Sequence, residues 1–170
     1  MVRICGDAKG MNIKLLSDED FVNYRLPSMF IAFPSCSFKC EKECGVRCCQ
    51  NSELAKAPSV FIDERDVCLR YLSNPITKAI VCGGLEPFDS FPSLLSLLAL
   101  LRTHYECSDP VVIYTGYNKE EISDKIDELK KYSNVIVKFG RYIPGQTPHY
   151  DEVLGVKLAS DNQYAEKISF

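Results

Sequence analysis

Three short apolar runs that each end in glycine constrain the fold of this chain more than any other feature. Ile76–Cys82 runs into Gly83-Gly84, Val111–Tyr114 into Thr115-Gly116, and Val135–Phe139 into Gly140. Runs of this length, rich in valine and isoleucine, predict buried strands. A fourth run, Met29–Phe33, stops at Pro34 and reads the same way. Between them lie stretches with helical period. Ser90–Thr103 contains Leu-Leu-Ser-Leu-Leu-Ala-Leu-Leu, a wide apolar face suited to covering a sheet. Glu120–Tyr132 places Ile122, Ile126 and Leu129 on one side, and Asp63–Leu72 is a helix with Asp63 as its N-cap. Strands alternating with helices imply parallel βαβ units, joined by right-handed crossovers. Ligands then gather beyond the carboxyl ends of the strands. Here those ends carry Pro34-Ser35-Cys36, Gly83-Gly84, Thr115-Gly116 and Gly140-Arg141, which places all four on one rim. Near the N-terminus, Met11–Leu16 predicts a further short strand and Ser17–Asp20 a polar turn. No repeat, low-complexity tract or linker divides the 170 residues, so residues 1–170 are expected to form a single α/β domain.

The rim has an unusual content of sulfur. Of nine cysteines, Cys36, Cys40, Cys44, Cys48 and Cys49 fall inside Ser35–Asn51, whereas Cys5, Cys68, Cys82 and Cys107 are isolated. The segment 35–51 has neither strand nor helix period and contains Gly45, which predicts a loop. The cysteine count is odd, and Met1–Asp20 alternates charged and apolar residues unlike an export signal. The thiols are therefore expected to be metal ligands or small buried residues in a reducing, cytoplasmic setting, with the four isolated ones free. A net charge of −3 with scattered basic residues speaks against a nucleic-acid surface. No apolar run approaches a membrane span.

Thiolates at this density hold either zinc or an iron–sulfur cluster. Cys36-Ser-Phe-Lys-Cys40 brings two thiolates within reach of one centre, and three more follow. A structural zinc site takes four cysteines readily; an iron–sulfur cluster that acts on a substrate keeps one iron open. Spacing alone leaves both readings standing.

The motifs around the cysteines narrow the choice. Pro34-Ser-Cys-Ser-Phe-Lys-Cys40 together with Cys49-Gln-Asn51 resembles the radical S-adenosylmethionine superfamily, whose usual signature is C-x3-C-x2-C. More narrowly it resembles the glycyl-radical activases that serve anaerobic ribonucleoside-triphosphate reductase, where the third cysteine is followed by one residue and then Asn. The resemblance implies an incomplete parallel (β/α) barrel and a [4Fe–4S] cluster on Cys36, Cys40 and Cys49. Glu41–Cys48 is then an insertion, and Cys48 or Cys44 are alternative third ligands. Val81-Cys-Gly-Gly-Leu-Glu-Pro-Phe88 resembles the superfamily's Gly-Gly-Glu motif with Leu85 inserted. It implies that Gly83, Gly84 and Glu86 receive the amino group of S-adenosylmethionine. Asn51 and the turn Tyr114-Thr115-Gly116 are implied to face the same cofactor, with Phe38 stacking near the adenine. A plain βα loop, its following helix capped by Asn118, accounts for that turn equally well. Phe139-Gly-Arg-Tyr-Ile143 and Ala159-Ser-Asp-Asn-Gln163 resemble the closing segments of the activases, so the likeness runs from Ser28 to about Ile168.

By this resemblance the chain cleaves S-adenosylmethionine to a 5′-deoxyadenosyl radical and raises a glycyl radical on a partner enzyme. Electrons come from a flavodoxin-like or other low-potential donor. So short a chain leaves little sequence to enclose a small substrate, which favours a protein substrate. Two other radical-enzyme readings, an activase of another glycyl-radical enzyme and a small enzyme acting on a metabolite, share the cofactors. A non-catalytic iron–sulfur or zinc module is the third alternative. His104 and His149, the only histidines, belong to no recognisable acid–base pair and are expected at the surface or core edge.

Overall fold

The computed structural model describes residues 10–170. Six strands form one sheet: β2 (Leu15–Asp20), β3 (Ser28–Phe33), β5 (Ala79–Gly84), β6 (Val111–Tyr114), β7 (Val135–Phe139) and β10 (Tyr164–Ser169). Their spatial order is β10-β7-β6-β5-β3-β2. The four inner strands β3, β5, β6 and β7 are parallel, and the two edges are antiparallel to their neighbours. Two small antiparallel pairs complete the β structure: β1 (Gly10–Ile13) with β4 (Val60–Asp63), and β8 (His149–Asp151) with β9 (Val156–Leu158).

Helices α3 (Glu64–Ser73), α4 (Phe91–Ala99) and α5 (Ser123–Leu129) cross between the parallel strands. Their apolar residues, including Val67, Tyr71, Leu94, Leu98, Ile126 and Leu129, share one core with Met29, Ile31, Ile80, Ile113 and Val137 of the sheet. Because side chains alternate along a strand, the intervening residues face the other way. Ala79, Val81, Val112 and Ile136 form a second cluster with Tyr24, Leu154, Leu158 and Ala165. The helices thus cover one face, and the opposite face is covered by β8–β9 and the chain near Tyr24.

The predicted strands at 111–114 and 135–139 match β6 and β7 residue for residue, and Asp63 caps α3 by accepting from the Arg65 amide. The helix predicted from Ser90 begins at Phe91 as α4 and continues as one wider, π-type turn over Leu100–His104. The helix predicted over Glu120–Tyr132 starts as a 3₁₀ turn, Lys119–Ile122, behind a capping box on Asn118 and Glu121, and α5 ends at Leu129. The strand expected from Ile76 begins only at Ala79; Pro75 precedes it, and Ile76 is exposed.

Three expectations are corrected. Met11–Leu16 is not one strand: the chain bends at Lys14, so Met11–Ile13 pairs with β4 while Leu15 and Leu16 join the main sheet. Ser17–Asp20 is not a turn but the polar end of edge strand β2, where charge is tolerated because one side of an edge strand meets water. Ser35–Asn51 is not wholly loop. Lys39–Cys44 forms α1, and α2 (Ser52–Lys56) follows directly. Lysine and glutamate favour a helix, and Gly45 stops α1 in the left-handed conformation, φ 70°.

The helix-side core sets the stability of this arrangement. Leu98 is fully buried between α4 and the sheet. Leu98→Ala is expected to destabilise the fold by about 2–5 kcal/mol, the range for emptying such a site. Denaturant titration should show a lower midpoint with an unchanged slope.

Candidate functional site

The parallel register brings Phe33 level with Gly84, and Tyr114 level with Lys138. The four strand ends therefore deliver their following residues to one place. A cavity of about 330 Å³ lies there, on the face away from α3, α4 and α5. Cys36, Cys40 and Cys49 line it together with Asn51, Gly83, Gly84, Glu86, Tyr114, Thr115 and Gly116. Of the thirteen residues that the sequence predicts for the site, these ten are brought together. Cys44 and Cys48 do not line the cavity; their sulfurs lie 2.7 Å from each other. Phe38 is also outside it, occupying a left-handed position, φ 53°, at the start of α1.

Loop and strand ends are tied by specific bonds. The Glu86 amide donates to Ser35 O at 2.9 Å, and Asn51 Nδ2 donates to Gly84 O at 2.5 Å. The Ser37 amide donates to Asp89 at 2.8 Å, and the Tyr117 hydroxyl donates to the same carboxylate at 2.5 Å. One glycine is needed sterically. A Cβ on Gly84, whose φ is +80°, would sit 2.6 Å from Ala32 Cα. A Cβ on Gly116 would lie 3.5 Å from the Cys40 sulfur, an ordinary contact, which places the turn after β6 beside that thiol.

Glu86 is buried, yet its carboxylate is well supplied with donors. Oε1 accepts from the Phe88 amide at 3.1 Å and from Thr115 Oγ1 at 2.8 Å; Oε2 accepts from the Gly116 amide at 2.9 Å. Burial nevertheless outweighs these bonds and pushes the carboxyl up to about 7. Glu86 thus joins the end of β5 to the end of β6 while keeping spare acceptor capacity.

Sequence reasoning missed Lys138 as a cavity residue. It is buried on β7, and its ammonium donates to Gly140 O at 3.0 Å and Thr115 O at 3.3 Å. Burial draws its pKa down to about 8. The signal was present: a lone charge inside Val135-Ile-Val-Lys-Phe139 is anomalous for a strand buried on both faces. Arg141 was likewise overlooked. Its guanidinium donates to Glu121 at 2.6 Å and pairs with Glu43 on α1 at 3.1 Å, which fastens the cysteine segment to the end of β7.

The thiols of the cavity are partly desolvated. Burial pushes Cys36 up to about 11 and raises Cys40, whose next contribution is the neighbouring Cys49. Without a cation both hold their protons at neutral pH, and ligation releases them. Among the described residues no three His, Cys, Asp or Glu side chains converge closely enough for a single metal ion. The three thiols Cys36, Cys40 and Cys49 border one shared cavity. Cys68 and Cys82 are buried and Cys107 half-buried, all as free thiols; Cys5 lies outside the described residues. His104 stacks edge-on against Tyr105, and His149 lies on β8, both away from the cavity.

A family model described as a 4Fe-4S single cluster domain matches residues 27–163. Neither the curated proteins nor the solved structures yield a match.

The Arg141 junction is testable by acid. Its hydrogen bond holds Glu121 down at about 2, against an ordinary value of 4.5. A depressed carboxyl stabilises the fold above its unfolded value and loses that contribution as pH falls from about 4.5 through 2. Glu121→Gln is expected to be less stable than wild type at pH 7, with the difference shrinking as pH approaches 2. Denaturation midpoints measured across that window check it; a difference that is constant with pH would refute the role.

Proposed function

The chain belongs to the 4Fe-4S single cluster domain family, and on that premise we propose that it is a glycyl-radical activase whose partner is an anaerobic ribonucleoside-triphosphate reductase. Its cofactors are a [4Fe–4S] cluster and S-adenosylmethionine. One observation carries the reading: Cys36, Cys40 and Cys49 border the same cavity as the Gly83-Gly84 and Thr115-Gly116 turns, while Cys44 and Cys48 turn away from it. Three thiolates rather than four leave room for a ligand at the remaining iron. A cluster held by these three cysteines would supply the electron for reductive cleavage of the sulfonium of S-adenosylmethionine.

The chain's own residues then divide the work of binding. In this reading Cys36, Cys40 and Cys49 hold the cluster, and the glycine turn allows the cofactor to approach the backbone of β5. The cavity offers opposite charges to an amino acid: Glu86 for its ammonium and Lys138 for its carboxylate. Asn51 braces the glycine turn by its bond to Gly84 O. Since Phe38 is outside the cavity, stacking on the adenine falls to the aromatic residues that line it, Phe30, Tyr114 and Tyr142.

Two features support a protein as the substrate. The cavity opens between exposed residues, among them Val22, Gln50, Asn51 and Lys157, so its contents face outward. All three crossing helices lie on one face of the mostly parallel sheet and the cavity on the other, which supports the incomplete (β/α) barrel of this reading. A low-potential carrier such as a flavodoxin is the donor in this reading, and residues 1–170 act as a single domain in the cytoplasm. Among the described residues no helix is long and apolar enough to cross a membrane.

Anaerobic reconstitution with iron and sulfide tests the proposal. About four irons per chain are expected, as in a [4Fe–4S] centre. The reduced protein should give an electron paramagnetic resonance signal that changes when S-adenosylmethionine is added. Cys36→Ala, Cys40→Ala or Cys49→Ala should each cut bound iron severely. A signal indifferent to the cofactor, or tightly held zinc in place of a cluster, would overturn the reading.

A further inference from the structure

Five thiols crowd the segment 35–51, but the cavity uses three. The other two have a geometry of their own. Cys44 is the last residue of α1, and Gly45 at φ 70° reverses the chain, its amide donating to Glu41 O at 2.9 Å. The short turn that follows carries Cys48 back over the helix, where its sulfur lies 3.8 Å from Cys40 O. The Cys44 sulfur is 3.2 Å from Val46 O, inside the same turn, and 2.7 Å from the Cys48 sulfur. A disulfide needs its sulfurs about 2.05 Å apart, so small side-chain rotations suffice to join them. Both residues are only partly buried, which leaves a small oxidant access.

We propose that Cys44 and Cys48 form a second redox site, a dithiol that closes to an intrachain disulfide by exchange with a low-molecular-weight disulfide of the glutathione class. One thiol, as its thiolate, attacks the oxidant's S–S bond, forming a mixed disulfide and expelling one small thiolate. The other attacks the protein-side sulfur of that mixed disulfide, forming the Cys44–Cys48 bond and expelling the second small thiolate. The two protons lost by the cysteines end on the two released thiols; the cysteine pair is oxidised by two electrons and the small disulfide reduced by two. Closure ties the turn that immediately precedes Cys49. Resting on the ligand assignment above, it also removes two surplus thiols from competition for iron, so that Cys36, Cys40 and Cys49 are the donors left.

The test uses the full unmutated chain, metal-free and anaerobic, equilibrated in glutathione buffers of increasing oxidation. Free thiols are then alkylated and the peptides mapped. Cleavage after Lys42 and Arg47 puts Cys44 and Cys48 on separate peptides, and fragmentation between Cys48 and Cys49 identifies the joined sulfur. The expected result is a Cys44–Cys48 linkage with Cys36, Cys40 and Cys49 alkylated. In Cys44→Ser, Cys48 should be trapped as its mixed disulfide with glutathione. The double variant C44S/C48S, reconstituted with iron and sulfide, should bind as much iron as wild type. No linkage, or a linkage of Cys48 to Cys40, overturns the proposal, and iron loss in the double variant overturns the competition it is said to prevent. If wild type forms the linkage yet assembles no cluster, the disulfide stands and the activase reading falls.

Discussion

Parallel pairing forces neighbouring strands to end on the same edge, and the site depends on that constraint. With β3, β5, β6 and β7 side by side, the chain must leave the sheet four times along one rim. Each departure exposes backbone groups that need partners. Here they are supplied across elements rather than within them: Glu86 bonds the β6 turn, Asn51 the glycine turn after β5, and Lys138 the carbonyls of Thr115 and Gly140. The polar groups that finish the sheet are the same ones that line the cavity. Glu86 and Lys138 therefore sit at the cavity as parts of the rim's own bonding, and those bonds offset only part of the cost of burying each charge.

How much of this was legible beforehand varies with the kind of signal. β6 and β7 are runs of branched residues bounded by turn chemistry, and local pattern was sufficient to place them. The single rim followed from the strand–helix alternation. By contrast, β4, β8, β9 and β10 were not anticipated. His149–Asp151 and Val156–Leu158 are too short and too polar to register alone, and become strands only by pairing with each other. β10, Tyr-Ala-Glu-Lys-Ile-Ser, alternates weakly and gains its strand state from β7. The break at Lys14 is tertiary as well, since it separates residues recruited by two different sheets.

The cysteine segment shows the same boundary inside the site. Spacing identified five candidate thiols and could not rank Cys44, Cys48 and Cys49. The structure separates them by place: α1 ends at Cys44 with Gly45 left-handed, Cys44 and Cys48 lie outside the cavity, and the return turn leaves Cys49 beside it. The helix was missed because a segment chosen for its cysteines was judged by hydrophobic period, and Lys-Cys-Glu-Lys-Glu-Cys has none. Its stability comes instead from helix propensity, its cap and the Glu43–Arg141 contact.

The unequal cover of the two sheet faces gives the molecule two depths of cooperativity. Against the helices, the sheet packs through long, fully buried side chains of α3, α4 and α5. On the cavity side the cover is a three-residue hairpin pair and an irregular stretch, held by contacts such as Tyr114 Oη to Asn23 O at 2.5 Å and the Arg25 amide to Leu154 O at 2.8 Å. Local opening costs least where few apolar contacts must be broken. The amides of β8 and β9 should therefore exchange with solvent through a low-energy fluctuation that leaves β5 and β6 protected, and amide hydrogen exchange would separate the two classes. A protein built this way can loosen the cover of its cavity as a fluctuation of the native state, without touching the core that keeps it folded.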